Sequence, residues 1–298
     1  MSQFQRLLLV ADPQMHHSPA LQRAAALAQA SGAALHILTL VEPFSTLPLL
    51  DKSIQELTRE ARMQDCRDWL KDEVELLRSK GLEVTSEVLW SDQPLKEILA
   101  HVAEMPVDLL IKDLQHEPAL KRAFVTPLDW HLLRECPVPV HLVGVASNPL
   151  PLKVVAAVDP SHPESASGDL NDRIIDTAIG LALQCDAQLH LLHTCDLSPV
   201  FLAEAGTATA ACVDMLDELR QSQAASFAAL AERYGVPAER RHFLVGPPIH
   251  TIAGFAARNQ VDVLVMGRVQ RKGLDKLIGS TTEHLLYQVP CSILAIAL

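Results

Sequence analysis

The strongest constraint on this chain is that one design is written in it twice. Residues 7–13 (LLLVADP) are matched by residues 154–160 (VVAAVDP), 35–40 (LHILTL) by 189–194 (LHLLHT), and 107–112 (VDLLIK) by 261–266 (VDVLVM). Between these apolar runs lie Ala- and Leu-rich segments with helical spacing, 20–30 and 173–183. Longer helical segments follow at 51–80 and 209–234, each closed by a glycine, Gly81 or Gly235, which suits a helix C-terminus. Third strands are expected at 83–89 and 241–245. Third helices open on Pro94 and Pro248, where proline is tolerated in a first turn. Trp130 and Glu283 begin matched WHLL and EHLL runs in fourth helices, ahead of last strands at 138–143 and 292–297.

Each half therefore reads β-α-β-α-β-α-β-α-β. Short apolar strands alternating with helices predict an α/β fold with a parallel, doubly wound sheet in each half. The expected domains are residues 1–146 and 151–298, joined by a short Pro-rich connector around Asn148 and Pro149. In such sheets ligands sit at the carboxyl ends of the strands, where strand order reverses. Asp12 and Asp159 are placed at the end of strand one, Asp113 and Gly267 at the end of strand four. They face one crevice if those two strands are neighbours.

Apolar residues make up 49% of the chain and aromatics only 4%, so the cores must be aliphatic. The net charge of −11 argues against direct binding to duplex DNA or to an anionic membrane, which needs clustered Lys and Arg. Arg268, Arg271, Lys272 and Lys276 form a local exception, read as a solvated loop or as a face toward phosphates. The six cysteines have no zinc-finger or Cys-x-x-Cys spacing and read as small core residues in a reducing cytoplasm. No apolar stretch is long enough to span a bilayer, so a cytoplasmic location is expected. The matched His36 and His190 read as side chains at equivalent sheet positions. His16, His17 and His162 fall in loops without a second pair at metal spacing, and no metal is expected.

One stretch carries candidate chemistry. The run 261–266 reads as a buried strand that stops at Gly267. A basic loop follows, and then Gly279, Ser280, Thr281, Thr282 and Glu283 open a helix. Glycine lets backbone approach an anion, free N–H groups point at it, and the helix dipole favours negative charge. The same arrangement occurs in α/β folds that bind nothing, with Ser280 and Thr281 serving only as helix caps. Asp159 could hold a ribose or simply start an Asp-Pro turn, and for Asp12 the turn is the better reading.

With these residues in view, the chain resembles the universal stress protein family in its tandem form, over nearly its whole length. The stretch 124–140 (FVTPLDWHLLRECPVPV) is similar to the E-type tandem proteins of Gram-negative bacteria. The resemblance implies two open five-stranded sheets of order 3-2-1-4-5, of the adenine nucleotide alpha hydrolase-like kind. It also implies cytoplasmic stress-response roles, for the E-type including resistance to DNA-damaging agents. Nucleotide-binding members carry Gly-x2-Gly-x9-Gly-Ser/Thr after strand four and an Asp at the end of strand one. Asp159, Gly267, Gly279 and Ser280 match that pattern, with Thr281 beside them, so ATP is a candidate ligand of the second half.

The second half departs from the pattern twice. Gln270 replaces the second glycine, and the loop between Gly267 and Gly279 is one residue short. In the first half the motif is gone: Asp113 stands for the first glycine, and Thr126 and Pro127 stand for Gly-Ser. Proline has no N–H to donate, so the first half is expected not to bind ATP in the family manner. There is no Gly-x-Ser-x-Gly elbow, Walker Gly-Lys-Ser/Thr or His-Glu-x-x-His motif, so an enzyme is not expected and any ATP turnover would be slow and incidental. The halves are expected to pack as an intramolecular pseudo-dimer through residues 138–143 and 292–297, which is compatible with a further homodimer. Protein partners are not named by the sequence. An interaction scaffold independent of nucleotide is the other reading.

Overall fold

The structure, a computed structural model, describes residues 4–14, 17–114, 127–144, 148–160, 168–197, 210–268, 281–286 and 288–297. It divides into two compact units, Gln3–Leu150 and a second containing Pro151–Leu298.

In the first unit the strands are β1 (Arg6–Ala11), β2 (Ala34–Val41), β3 (Val84–Trp90), β4 (Leu109–Asp113) and β5 (Val140–Val143). All pair in parallel in the order β3-β2-β1-β4-β5. Helices α1 (Pro19–Ser31), α2 (Lys52–Ser79), α3 (Pro94–Glu104) and α4 (Leu128–Glu135) lie between them. The second unit repeats this with β6 (Lys153–Ala157), β7 (Gln188–Cys195), β8 (Arg241–Val245), β9 (Val263–Arg268) and β10 (Ser292–Ala297), in the order β8-β7-β6-β9-β10. Its helices are α5 (Gly168–Cys185), α6 (Ala210–Arg233), α7 (Pro248–Arg258) and α8 (Thr281–Leu285). Strands one and four are neighbours in both units, as the crevice argument requires.

The local reasons are visible at α1. Ser18 caps it by accepting a hydrogen bond from the Leu21 amide, Pro19 occupies the first turn, and Gly32 ends it in the left-handed region at φ 70°. The sheet centres are aliphatic and sealed: Leu8, Leu9, Leu110 and Ile111 are fully buried, as are Val154, Val155 and Val263 in the second unit. Cys136, Cys185, Cys195 and Cys291 are buried free thiols, so they serve as core residues, and burial pushes the Cys291 thiol up to about 12.

The strands differ from expectation at their ends. The Val-Asp pairs at 107–108 and 261–262 precede β4 and β9 rather than open them. The Asp108 carboxylate accepts hydrogen bonds from the Gln5 and Arg6 amides at 3.0 and 2.9 Å. Asp262 does the same for Leu152 and Lys153, both at 2.9 Å. In each unit this aspartate anchors the start of strand one instead of joining strand four. At the other end, β9 does not stop at Gly267 but runs through it to Arg268, because pairing with β10 continues at Ile296 and Ala297. β1 and β6 end at Ala11 and Ala157, so Asp12 and Asp159 follow their strands rather than close them.

Gly267 lies under α5. A Cβ there would meet Leu170 Cδ2 at 2.7 Å and Ile174 Cδ1 at 3.1 Å, so the glycine lets helix and strand approach. Gly267→Ala is expected to cost about 1–3 kcal/mol through overpacking. Urea unfolding monitored by circular dichroism would register this as a lower midpoint with an unchanged slope, and an unchanged midpoint would show that Leu170 simply moves aside.

Candidate functional site at the carboxyl ends of strands one and four

The register lets the two units be compared residue by residue. Leu7 pairs with Leu109 and Val10 with Lys112; Val154 pairs with Val263 and Ala157 with Met266. With Leu7 equivalent to Val154, Lys112 corresponds to Met266 and Asp113 to Gly267. The matched runs in the fourth helices make Asp129 the counterpart of Thr282.

In the first unit this end is filled by the protein's own charges. Asp113, 5% exposed, accepts a hydrogen bond from the Ala20 amide at 2.8 Å, so its carboxylate occupies the N-terminus of α1. Burial raises the Asp113 carboxyl above its ordinary range, against the Ser18 hydroxyl, the Ala20 amide and Lys112, which pull it down. Lys112 is also buried. Its ammonium sits 2.9 Å from Asp129 Oδ1 and donates to the Asp113 carbonyl at 2.9 Å. Asp12 accepts from the Gln14 amide at 2.9 Å, a turn of the kind Asp-Pro favours.

The second unit solves the same problem without charge. The Thr282 hydroxyl donates to the Gly267 carbonyl at 2.7 Å and so ties α8 directly to β9. In the first unit the Lys112 ammonium makes that tie by bridging Asp129 to the equivalent carbonyl. Asp159 is exposed, and its main chain is clamped by Asn171 of α5. The Asn171 side chain accepts from the Asp159 amide at 2.9 Å and donates to the Asp159 carbonyl at 2.8 Å. His193 Nδ1 lies 3.0 Å from the Val158 carbonyl and holds the preceding residue. Sequence reasoning did not find Asn171 or His193. The available signal was an Asn in the first turns of the helix that follows an Asp-Pro loop.

Of the candidate residues, Asp159 and Gly267 are brought to the same end of adjacent strands, and Thr281 is the exposed first residue of α8. Gly279 and Ser280 lie outside the described residues, as do Thr126, Gln270, Arg271, Lys272, Lys276, His16 and His162. Arg268 is 2% exposed, so this member of the basic cluster is not a solvated loop residue: it belongs to β9 and is covered. His17 sits 3.8 Å from Glu73. His190 Nδ1 lies 3.0 Å from His242 Nε2. Burial first, then the neighbouring His242, Lys153 and Arg240, push His190 down to about 4, so it is neutral at pH 7. No helix among the described residues is long and apolar enough to cross a membrane. A separate group of metal-ligating side chains, His36, Glu87 and His101, converges elsewhere in the first unit.

The paired units and their shared strand order fit one family, and the sequence pattern of that family, described as the universal stress protein family, matches residues 3–144 and 152–297. The chain belongs to the universal stress protein family. It is 27% identical to universal stress protein E of Escherichia coli K12 over 99% of this chain and 95% of that protein. It is 29% identical to universal stress protein E of Photorhabdus laumondii over 99% and 96%. The crystal structure of a universal stress protein from Pseudomonas aeruginosa UCBPP-PA14 superposes with a TM-score of 0.72 at 26% identity, over 99% of this chain and 93% of that one. Each of these matches spans nearly the full length of both chains, so the likeness extends over both units.

The buried Lys112–Asp129 pair makes a double-substitution test available. Lys112→Met alone strands a buried carboxylate and is expected to cost about 3–5 kcal/mol. Adding Asp129→Thr installs the second unit's uncharged solution and should recover most of that loss. Denaturant unfolding of both variants checks it, and a double variant no more stable than the single one would mean that the two ties are not interchangeable.

Proposed function

We propose that this chain is a stress-response protein whose second unit keeps a degenerate ATP site and whose first unit has given its site up. Asp159 holds the ribose, Gly267 and Gly279 let backbone approach the phosphates, and Ser280 and Thr281 donate to them at the start of α8. The observation that carries the reading is the contrast at one register position: a buried carboxylate at Asp113, a side-chain-free backbone at Gly267. An anion approaching the first unit would meet a negative group already seated at the α1 N-terminus. The protein acts by binding, in the cytoplasm. Its support of survival, resistance to DNA-damaging agents included, is indirect, since a net charge of −11 opposes direct contact with duplex DNA.

A second reading, an interaction scaffold independent of nucleotide, is favoured by the packing at Gly267. Leu170 and Ile174 already require a glycine there, so that residue has a purely architectural reason to be present. Calorimetric titration with ATP separates the two. The nucleotide reading expects one site per chain, retained in Asp113→Asn and lost in Gly279→Asp. No heat of binding, with no nucleotide released on denaturing the purified protein, would leave the scaffold reading in place.

A further inference from the structure

The three side chains that converge away from the nucleotide end are His36 of β2, Glu87 of β3 and His101 of α3. One ligand atom from each lies within 4.8 Å of the other two. His36 pairs with Thr85 across the strands, and Glu87 is two residues further along β3, so both project from one face of the sheet. α3 lies over that face, held down by buried Ile98 and Val102, and brings His101 from its last turn. The cluster is near the amino end of β2, whereas Asp113 closes the carboxyl end of β4. It is therefore distinct from the candidate nucleotide site.

Hydrogen bonding decides which ring atoms are available. His101 Nδ1 lies 2.8 Å from the Glu97 carbonyl, which only accepts, so Nδ1 carries a proton. The other nitrogen, Nε2, faces Glu87 Oε2 at 3.1 Å. In the neutral ring that places two acceptors against each other, and a cation, either a proton or a metal ion, must lie between them. His36 Nδ1 is engaged by the Thr85 hydroxyl at 2.8 Å, and His36 Nε2 is buried with no hydrogen-bond partner. The rings are stacked with centroids 6.1 Å apart and planes 24° apart. His101 thus has Nδ1 held by an outer group and Nε2 facing a carboxylate, the arrangement in which outer-shell bonds orient metal ligands, while His36 has Nδ1 held and a buried Nε2 to spare.

We propose that His36, His101 and Glu87 form a binding site for a divalent first-row transition-metal ion, with Zn²⁺ its natural occupant. Two imidazoles and a carboxylate suit zinc. Bonds of about 2.0–2.2 Å in a tetrahedron require neighbouring ligand atoms about 3.3 Å apart, close to the existing His101–Glu87 separation. A water completes the fourth position. The Glu87 side chain is 47% exposed, so the ion enters from solvent. Ligation would clamp α3 and the outer strand β3 to β2, and it stabilises only the folded state, because the three ligands are brought together by the fold. The spacing 36, 87 and 101 has no metal signature, which is why the sequence alone pointed to sheet side chains and no metal.

The test uses the full chain, stripped with a chelator and titrated with Zn²⁺, with bound metal counted by mass spectrometry. One equivalent per chain is expected, with a rise in melting temperature. Co²⁺ in the same site should give the visible bands of a tetrahedral ion without thiolate charge transfer, which excludes the free cysteines as ligands. His36→Gln and His101→Gln should abolish the binding. Glu87→Gln, at a half-exposed position that tolerates change, should weaken it by about tenfold or more while leaving the circular dichroism spectrum unaltered. Absence of stoichiometric binding, or binding that survives Glu87→Gln and His101→Gln undiminished, would overturn the site and leave a proton as the cation between His101 and Glu87.

Discussion

The central strands of a parallel sheet with helices on both faces are sealed, and they must be apolar through their middles. β1, β4, β6 and β9 meet that demand with Leu, Ile, Val and Ala, whose sealed side chains make the centre of each unit. Polar variation is thereby pushed to the strand ends. There the fourth strand must be tied to the helix that follows it, or the helix start leaves unsatisfied backbone groups in a half-buried position. The two units make that tie with different chemistry.

In the second unit a hydroxyl, Thr282, makes it to a carbonyl, and the strand position beside it is a glycine. In the first unit an ammonium, Lys112, makes it and needs Asp129 as its counter-charge, while Asp113 places a second carboxylate on the α1 N-terminus. Three substitutions at equivalent positions act together: methionine to lysine, glycine to aspartate, threonine to aspartate. A buried lysine without Asp129 would be costly, and Asp113 without a helix N-terminus would be too. The first unit has in this way filled the α1 N-terminus with a carboxylate of its own, whereas the equivalent strand position of the second unit carries no side chain.

The fold was legible because repetition and periodicity are local signals. The apolar runs, the Ala- and Leu-rich helices and the glycines after α2 and α6 each announce themselves within a few residues. Element ends were less so. Asp108 and Asp262 look like strand residues until the amides of the neighbouring strand are seen to bond them, and Gly267 looks like a strand stop until β10 is seen beside it. At the candidate site, a motif singles out Asp159 and Gly267. No motif marks Asn171, His193 or the Lys112–Asp129 pair, since each acts through a partner set by tertiary packing. The His36, Glu87 and His101 cluster is the extreme case: three residues from three elements, with no spacing that sequence can read.

The most direct test of this account is a crystal structure of the full chain grown with ATP in excess. The account predicts nucleotide at the carboxyl ends of β6 and β9, with its ribose at Asp159 and its phosphates at the start of α8. It predicts none beside Asp113, where the carboxylate still bonds the Ala20 amide. Nucleotide in the first unit, with Asp113 swung away from α1, would contradict the claim that the protein's own anion has closed that site.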